Sequence, residues 1–153
     1  MKKLAIITTH PIQYQIPLFK DLRKNKIDAH VFFASKHGLN IGYKDPEFLV
    51  KFKWNTSTDL LKGYKSYFPK KQKYKINDYR LNFPQIEKDL KKENFDAILV
   101  LGWNNFHYIK AIIFAKKNNK KLILRAENNL KAKNSFLKRI SISRRSLKAS
   151  LLT

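Results

Sequence analysis

Short apolar runs alternate with amphipathic segments along this chain. Leu4–Thr9 is mostly apolar and stops at a His-Pro turn, which predicts a buried strand of a parallel sheet. Within Gln15–Lys26, apolar residues recur at helical spacing, and the proline in the first turn is compatible with a helix. Ala29–Ala34 predicts a second strand. The order strand–helix–strand, with its right-handed crossover, places both strands in one parallel sheet.

The second half of the chain repeats this order. Pro84 is predicted to open a helix, and Phe95–Leu101 is the clearest prediction of a buried strand in the chain. The next helix is predicted to end at Asn118-Asn119, before a strand over Lys121–Ala126. Because strands and helices alternate, we predict an α/β fold, a Rossmann-like parallel sheet with helices on both faces.

Two segments follow this pattern less closely. Residues 36–82 form a long connection rich in aromatic residues and lysine, and a connection of that length is usually functional or contains short elements of its own. Residues 130–153 hold apolar residues at roughly helical spacing with seven basic residues and no acidic one, which predicts a basic amphipathic helix. We predict one domain over residues 1–129, with 36–82 as an insertion. Residues 130–153 are interpreted as a further helix of that domain in a truncated chain, because no helix-terminating signal follows.

Composition excludes several classes of protein. The 153 residues suffice for one ordinary domain, and 43% hydrophobic residues argue against intrinsic disorder. The absence of cysteine excludes disulfide scaffolds, thiolate zinc sites and cysteine nucleophiles. No run approaches the roughly 18 apolar residues of a membrane span. The apolar stretch Leu4–Ile7 is shorter than the core of a signal peptide, about 7–15 residues. We therefore expect a cytoplasmic protein.

The formal net charge of +22 would attract nucleic acid or anionic lipid. The chain has 27 lysines but only 6 arginines, together with 13 asparagines and 15 isoleucines, a composition typical of AT-rich coding sequence. Nucleic-acid recognition relies on the forked contacts of arginine. We therefore favour a compositional origin of the charge over a role in binding nucleic acid. For residues 130–153 we likewise favour a solvated basic helix face over peripheral contact with anionic lipid at the inner membrane face.

Candidate chemistry follows three of the predicted strands. In an open parallel sheet, ligands bind beyond the carboxyl ends of the strands, where the strand order reverses. If the first strand is central, the turns at residues 10–14, 102–105 and 125–129 meet at that edge. All three are rich in polar and aromatic side chains. The candidate residues are His10, Gln13, Tyr14, Gly102, Trp103, Asn104, Arg125, Glu127 and Asn128.

Each candidate also has a purely structural explanation. His10 fits a tight turn with an ordinary exposed imidazole. Trp103 fits packing at the edge of a core. Arg125 and Glu127 fit a surface ion pair. The prediction of a site therefore depends on the convergence of the three turns.

Two other kinds of site are weighed by spacing. The glycine-rich dinucleotide fingerprint is absent, which argues against NAD bound in the usual way. His30 and His107 have no carboxylate at metal-ligand spacing, so no metal site is predicted. The backbone N–H groups of Gln15 and Ile16, at the start of a predicted helix, are a candidate anion site.

Several short blocks occur in a recognisable order. They are His10–Tyr14 followed by Pro17–Phe19, then Gly42–Phe48, Lys53-Trp54, Asp59–Tyr64, Leu101–Trp103 and Leu124–Asn128. In these blocks, which span most of residues 1–150, the chain resembles a bacterial subgroup of the family 4 glycosyltransferases.

The resemblance implies one half of a GT-B architecture, in which two Rossmann-like domains face each other across a cleft. It implies transfer of a sugar from a nucleotide-sugar to an acceptor hydroxyl in the synthesis of cell-surface polysaccharide or glycolipid. The chain matches the first domain, which holds a saccharide or lipid-linked acceptor. The second domain, which binds most of the donor, has no counterpart here, so we expect the chain alone to be inactive. The nucleotide-sugar is a co-substrate, and neither a further cofactor nor a metal is implied.

The resemblance also implies roles for the candidate residues. The acceptor hydroxyl must lose a proton, and His10 and Glu127 both remain open as the base, although many members of the family have histidine near the position of Glu127. Arg125 would steady Glu127 or offset phosphate charge. The implied substrate-binding residues are Gln13, Tyr14, Gly102, Trp103, Asn104, Arg125 and Asn128. The alternative function is a small basic α/β module that binds nucleic acid or an anionic membrane surface.

Overall fold

A computed structural model of the chain describes residues 1–37, 39, 60–71, 73–76 and 78–125. In chain order the elements are β1 (Lys2–Thr8), a 3-10 turn (Gln13–Gln15), α1 (Ile16–Lys24), β2 (Ile27–Phe33), β3 (Lys65–Tyr67), α2 (Ile86–Glu93), β4 (Ala97–Val100), α3 (Phe106–Lys117) and β5 (Lys121–Leu124). The five strands form one all-parallel sheet in the order β3-β2-β1-β4-β5. The predicted Rossmann-like α/β fold is confirmed.

β1 is the central strand of the sheet. Leu4 is in register with Ala29 of β2 on one side and with Ala97 of β4 on the other. Strand order runs outward from β1 through β2 to β3 in one direction, and through β4 to β5 in the other. The reversal between β1 and β4 opens the crevice where doubly wound sheets bind ligands, at the carboxyl ends of the strands.

Alternation along β1 divides the apolar side chains between two cores. Ile6 packs on the face covered by α1, in a cluster with Ile16 and Phe19. Ile7 points to the opposite face, where α2 and α3 supply residues such as Leu90 and Ala111. Each helix therefore buries an apolar stripe against the sheet, and helices cover both faces, as the alternation predicts.

Asparagine residues follow all three helices, α1, α2 and α3, in the part of the chain that the structure describes. α1 ends at Lys24, two residues before its predicted end at Lys26. The next residue, Asn25, donates from its side-chain Nδ2 to the carbonyl of Asp21. Asn94 ends α2 in the left-handed conformation, at φ 48°. The backbone N–H of Asn118 donates to the carbonyl of Phe114 at the end of α3, where the sequence predicts a stop. Asparagine tolerates these positions because its short polar side chain can hydrogen-bond locally.

The long connection contains the edge strand β3, which has no sequence signal of its own. A buried polar cluster joins it to β2: His30 Nε2 lies 2.9 Å from a carboxylate oxygen of Asp28, and His30 Nδ1 lies 3.0 Å from the Tyr67 hydroxyl. Lys65 Nζ reaches the same Asp28 oxygen at 3.2 Å. Burial raises the pKa of Asp28, but hydrogen bonds and charge interactions with His30 and Lys65 outweigh it, so this pKa lies below its usual value. The cluster pairs the buried polar groups of β2, Asp28 and His30, with Tyr67 and Lys65 of β3.

Several predicted boundaries shift in the structure. The strand predicted over Phe95–Leu101 is observed over Ala97–Val100, and Phe95 is a buried residue that precedes it. The predicted helix at 130–153, most of the insertion at 36–82 and the boundary at residue 129 lie outside the described residues. Within the described ranges, no helix combines the length and apolarity needed to cross a membrane.

Candidate functional site

The carboxyl ends of β1, β2 and β4 carry a joined set of turns, which we call the rim: residues 8–10, 34–37 and 101–103. The turns after β1 and β2 are held together by two backbone bonds, Ala34 N to Thr8 O at 3.2 Å and Ser35 N to Thr9 O at 2.8 Å. On the other side, Leu101 N donates to Ile7 O at 3.0 Å. These hydrogen bonds extend the parallel ladder past the strand ends, so the sheet holds the rim in place.

His10 is half-buried at the rim. Its Nδ1 lies 2.9 Å from the Thr9 hydroxyl, and its ring meets the ring of His37 edge to face, with centroids 5.4 Å apart. Burial, followed by the charge interaction with His37, lowers the pKa of His10 from 6.5 to about 4. The imidazole is therefore neutral at pH 7 and has a nitrogen lone pair with which to accept a proton.

Tyr108 of α3 packs against Gly102, in the turn after β4. A Cβ at Gly102 would lie 2.5 Å from Tyr108 Cε2, so the phenol ring packs directly on the backbone of this residue. Burial raises the pKa of Tyr108 to about 12, and hydrogen bonds with Thr8 and Thr9 oppose the rise. The phenol is thus a neutral group that ties the start of α3 to the end of β1.

The first turn of α3 is also tied to the segment 78–81. Asn105 Nδ2 donates to the carbonyl of Asp78 at 2.8 Å, and His107 Nδ1 lies 3.2 Å from the carbonyl of Leu81. Burial lowers the pKa of His107 to about 4, and the carbonyls of Leu81 and Thr8 partly offset it. His107 is fully buried, and its Nδ1 contact with the Leu81 carbonyl joins α3 to the segment 78–81, which indicates a structural role.

The other described candidates differ in exposure. Trp103 is half-buried in the turn that leads from β4 into α3, and Asn104 beside it is exposed. Arg125 follows β5, where its backbone N–H donates to the carbonyl of Val100 at 2.9 Å and its side chain is exposed. Neighbouring parallel strands therefore carry His10, Trp103 and Arg125 at the same end of the sheet.

Gln13 and Tyr14 lie in the 3-10 turn before α1 and both are exposed, Tyr14 by 73%. Gln13 belongs to the lining of an open groove of about 680 Å³ along α1. The backbone N–H groups proposed as an anion site are already used: Gln15 N donates to Ile12 O, and Ile16 N to Gln13 O. That expectation is wrong, because the 3-10 turn satisfies these donors before α1 begins.

Two candidates, Glu127 and Asn128, lie outside the described residues. Among the residues that are described, no group of three or more histidine, aspartate or glutamate side chains could hold a metal ion.

Sequence reasoning missed His37 and Tyr108. His37 follows β2, and because β2 neighbours β1 in a parallel sheet, the turn after it necessarily lies at the same edge. Tyr108 has the spacing of a core residue of α3, and its apolar ring is buried there. The available signal was the glycine at 102, which permits an aromatic ring to pack on the backbone.

No protein-family model, curated protein or solved structure matches this chain.

The protonation of His10 should be measurable by nuclear magnetic resonance (NMR). We expect the imidazole to titrate near pH 4, and the variant His37→Gln to raise that pKa part of the way towards 6.5. Because the folded pKa lies below the unfolded one, the unfolded chain binds more protons between these values, so stability falls as pH falls from 6.5 to 4. Urea unfolding across this window checks the sign. A His10 pKa near 6.5 would contradict the observed burial.

Proposed function

We propose that this chain is the acceptor-side half of a GT-B glycosyltransferase, which transfers a sugar from a nucleotide-sugar to an acceptor hydroxyl in polysaccharide or glycolipid synthesis. The observation that carries the proposal is the position of His10, half-buried at the switch point of a doubly wound sheet. His10 opens the first of the sequence blocks that resemble family 4 glycosyltransferases. In this fold, ligands bind at the switch point of the sheet. Sugar transfer needs a base at that place, and the imidazole of His10 can act as one.

The reaction requires one proton transfer and one displacement. The acceptor hydroxyl gives its proton to a base, its oxygen bonds to the anomeric carbon, and the bond from that carbon to the phosphate oxygen breaks to release the nucleoside diphosphate. In one tautomer, His10 Nδ1–H donates to the Thr9 hydroxyl and leaves the Nε2 lone pair as the acceptor. A donor diphosphate nearby would raise the low pKa of His10, because an anion stabilises the imidazolium. Glu127 remains the other candidate base.

The proposed binding roles follow from position. Trp103 and Asn104, in the turn after β4, would offer an aromatic face and an amide to sugar hydroxyls. Arg125, after β5, would offset negative charge on phosphate. Gln13, Tyr14 and Asn128 would bind the acceptor, and Gly102 would hold Tyr108 in place. The donor needs no metal in this scheme, since basic side chains and helix termini can stabilise a leaving diphosphate.

The proposed partners are the donor-binding second domain, a nucleotide-sugar and a saccharide or lipid-linked acceptor. Cytoplasmic location is part of the proposal, and peripheral contact at the inner membrane face through residues 130–153 is the less favoured alternative. Binding of nucleic acid is less favoured, since the exposed lysines of the described part are spread over α1, α2 and α3, on opposite faces of the sheet, and over connecting segments that include Lys70, Lys71, Lys73 and Lys75. A polyanion site would concentrate them on one face.

Saccharide binding tests the proposal directly. We expect the disaccharides maltose, cellobiose and chitobiose, at millimolar concentration, to shift the NMR signals of Thr9, His10 and Trp103. UDP-glucose alone should not be turned over by these 153 residues, because the proposal assigns most of the donor contacts to the second domain of a GT-B enzyme. Trp103→Ala should remove the disaccharide response, whereas Ile113→Ala, on the exposed side of α3, should leave it unchanged. Unperturbed rim signals with all three disaccharides, or robust turnover of UDP-glucose by the isolated chain, would overturn the proposal.

A further inference from the structure

Helix α3 exposes an apolar stripe on the side that faces away from the sheet. Its members are Phe106, Ile109 and Ile113, which are 44%, 42% and 44% exposed, and we call them the outer face of α3. Their spacing places them on one side of the helix, opposite the residues that pack on the sheet. A surface helix normally carries polar residues there, and a group of exposed apolar side chains marks an interaction surface.

Tyr79 extends this apolar surface beyond the start of α3. Its ring is 64% exposed and meets the Phe106 ring edge to face, with centroids 6.0 Å apart, and the Phe106 N–H donates to the Tyr79 carbonyl. The Arg80 guanidinium lies 5.8 Å from the centre of the Tyr79 ring and 4.8 Å from that of Tyr74. Asp78 binds Arg80 at 2.8 Å and neutralises it. The segment with the two tyrosines is therefore fixed against the start of α3.

Lysines flank the outer face of α3 at both of its ends. Lys116 and Lys117 are exposed in the last turn of the helix. On the side of the first turn, Lys73 Nζ lies 5.4 Å from the centre of the Tyr74 ring, and Lys75 is exposed. The sequence of α3 contains no acidic residue. This surface therefore combines exposed apolar side chains with positive charge.

We propose that the outer face of α3 binds the surface of an anionic lipid bilayer. The apolar side chains would lie among the acyl chains, and the flanking lysines would lie at the level of the headgroups. Protein segments that bind in the membrane interface combine these two features, apolar and aromatic side chains with lysines around them. The inference is independent of the proposed sugar transfer, and it assigns the contact to α3 rather than to residues 130–153.

Charge and side-chain type favour lipid over other occupants of this surface. Two copies of the chain would bring two lysine-flanked surfaces together, and their like charges oppose that contact. Single-stranded nucleic acid could stack its bases on Tyr79, but Ile109 and Ile113 offer no flat ring to a base. Acyl chains, in contrast, gain from contact with aliphatic side chains. An anionic bilayer is complementary both to the apolar stripe and to the lysines.

Sedimentation with lipid vesicles tests the proposal. In about 0.15 M salt, we expect the chain to bind vesicles of phosphatidylcholine with one quarter phosphatidylglycerol more tightly than vesicles of phosphatidylcholine alone. Ile109→Ser and Ile113→Ser should each weaken binding about 3- to 12-fold, because a half-exposed isoleucine no longer enters the bilayer. Lys116→Gln and Lys117→Gln should each weaken it about 5-fold.

Matched variants on α1 provide the control, because α1 covers the opposite face of the sheet. Leu18 is 41% exposed, so Leu18→Ser removes a similar apolar side chain. Arg23→Gln and Lys24→Gln each remove one exposed charge from the last turn of α1. These three variants should change vesicle binding less than about 2-fold, since charges beyond the Debye length of the bilayer are screened. Urea unfolding of every variant reports whether the fold is retained.

Each alternative occupant gives a different result. Equal loss of binding in the α1 and α3 variants would show that only the net charge acts, and the proposal would fail, as it would if the two kinds of vesicle bound equally or not at all. Stability lost in the isoleucine variants without a change in vesicle binding would show that the chain itself covers the outer face of α3. A dimer that Ile113→Ser dissociates, or oligothymidylate that shifts the Tyr79 signals while vesicles do not, would also overturn the proposal. None of these results bears on sugar transfer, which disaccharide binding at the rim tests.

Discussion

Gly102→Ala should destabilise the protein by about 1–3 kcal/mol, the usual cost of overpacking. The new Cβ would lie 2.5 Å from Cε2, 2.8 Å from Cζ and 3.1 Å from the hydroxyl oxygen of Tyr108, so the ring must move. Its displacement would break the hydrogen bonds to Thr8 and Thr9 that join α3 to β1. Urea unfolding measures the loss of stability, and the Tyr108 ring signals report the displacement.

Two further variants isolate this steric cause. Tyr108→Leu removes the three atoms that the new Cβ would meet, so the double variant Gly102→Ala/Tyr108→Leu should be less destabilised than the sum of the single variants. Gly63→Ala is the contrasting control. A Cβ at Gly63 has room, with only Lys20 side-chain carbons near it, but the φ of +91° strains any other residue. Gly63→Ala should therefore lose stability without moving Tyr108. Additive effects at Gly102 and Tyr108 would show that the two residues are not in contact.

Phe32→Ala should have the largest effect on stability, about 3–5 kcal/mol. The ring is fully buried and stacks on Tyr67 at 4.6 Å, with Phe83 and Phe95 edge to face at 5.9 Å each. Its removal leaves a cavity between β2, β3 and the α2 face of the sheet. For a chain of this size the loss corresponds to a melting temperature roughly 6–20 °C lower.

Graded substitution at this position provides the control. Phe32→Leu keeps most of the volume and should cost less than half as much as Phe32→Ala, whereas Ile113→Ala, at a side chain 44% exposed, should cost under about 1 kcal/mol. Thermal unfolding of the three variants ranks them. A Phe32→Ala variant as stable as Ile113→Ala would contradict the central position of this ring.

The main strands and helices were predictable because each buries a continuous surface. β4 lies between β1 and β5 and is apolar throughout, from Ala97 to Val100, and the asparagine pair Asn118-Asn119 marks the end of α3. β3 was not predictable. It has three residues, Lys65–Tyr67, and pairs on one side only, with β2, so neither length nor alternation distinguishes it from a loop.

The candidate site was predictable only in part. Each turn can be identified from its own sequence, but a site requires contacts between several turns, and those contacts depend on the tertiary fold. His10 and Trp103 follow strands whose positions the sequence indicates. The contact between His10 and His37 depends on the pairing of β2 beside β1, and the contact between Tyr108 and Gly102 depends on the packing of α3. Strand order is a tertiary property, so the order β3-β2-β1-β4-β5 and the neighbours it creates could not be read from alternation alone.

The ionic cluster of β2 and β3 and the candidate site lie at opposite ends of the sheet. Asp28 and Lys65, which secure β3, lie near the amino ends of their strands, whereas His10 and Trp103 follow the carboxyl ends. Substitutions in the turns of the proposed ligand site should therefore leave the ion pair that anchors the edge strand undisturbed. A combinatorial library randomised at the carboxyl-end turns alone, with Gly102 held constant, should retain many folded members from which altered specificities can be selected.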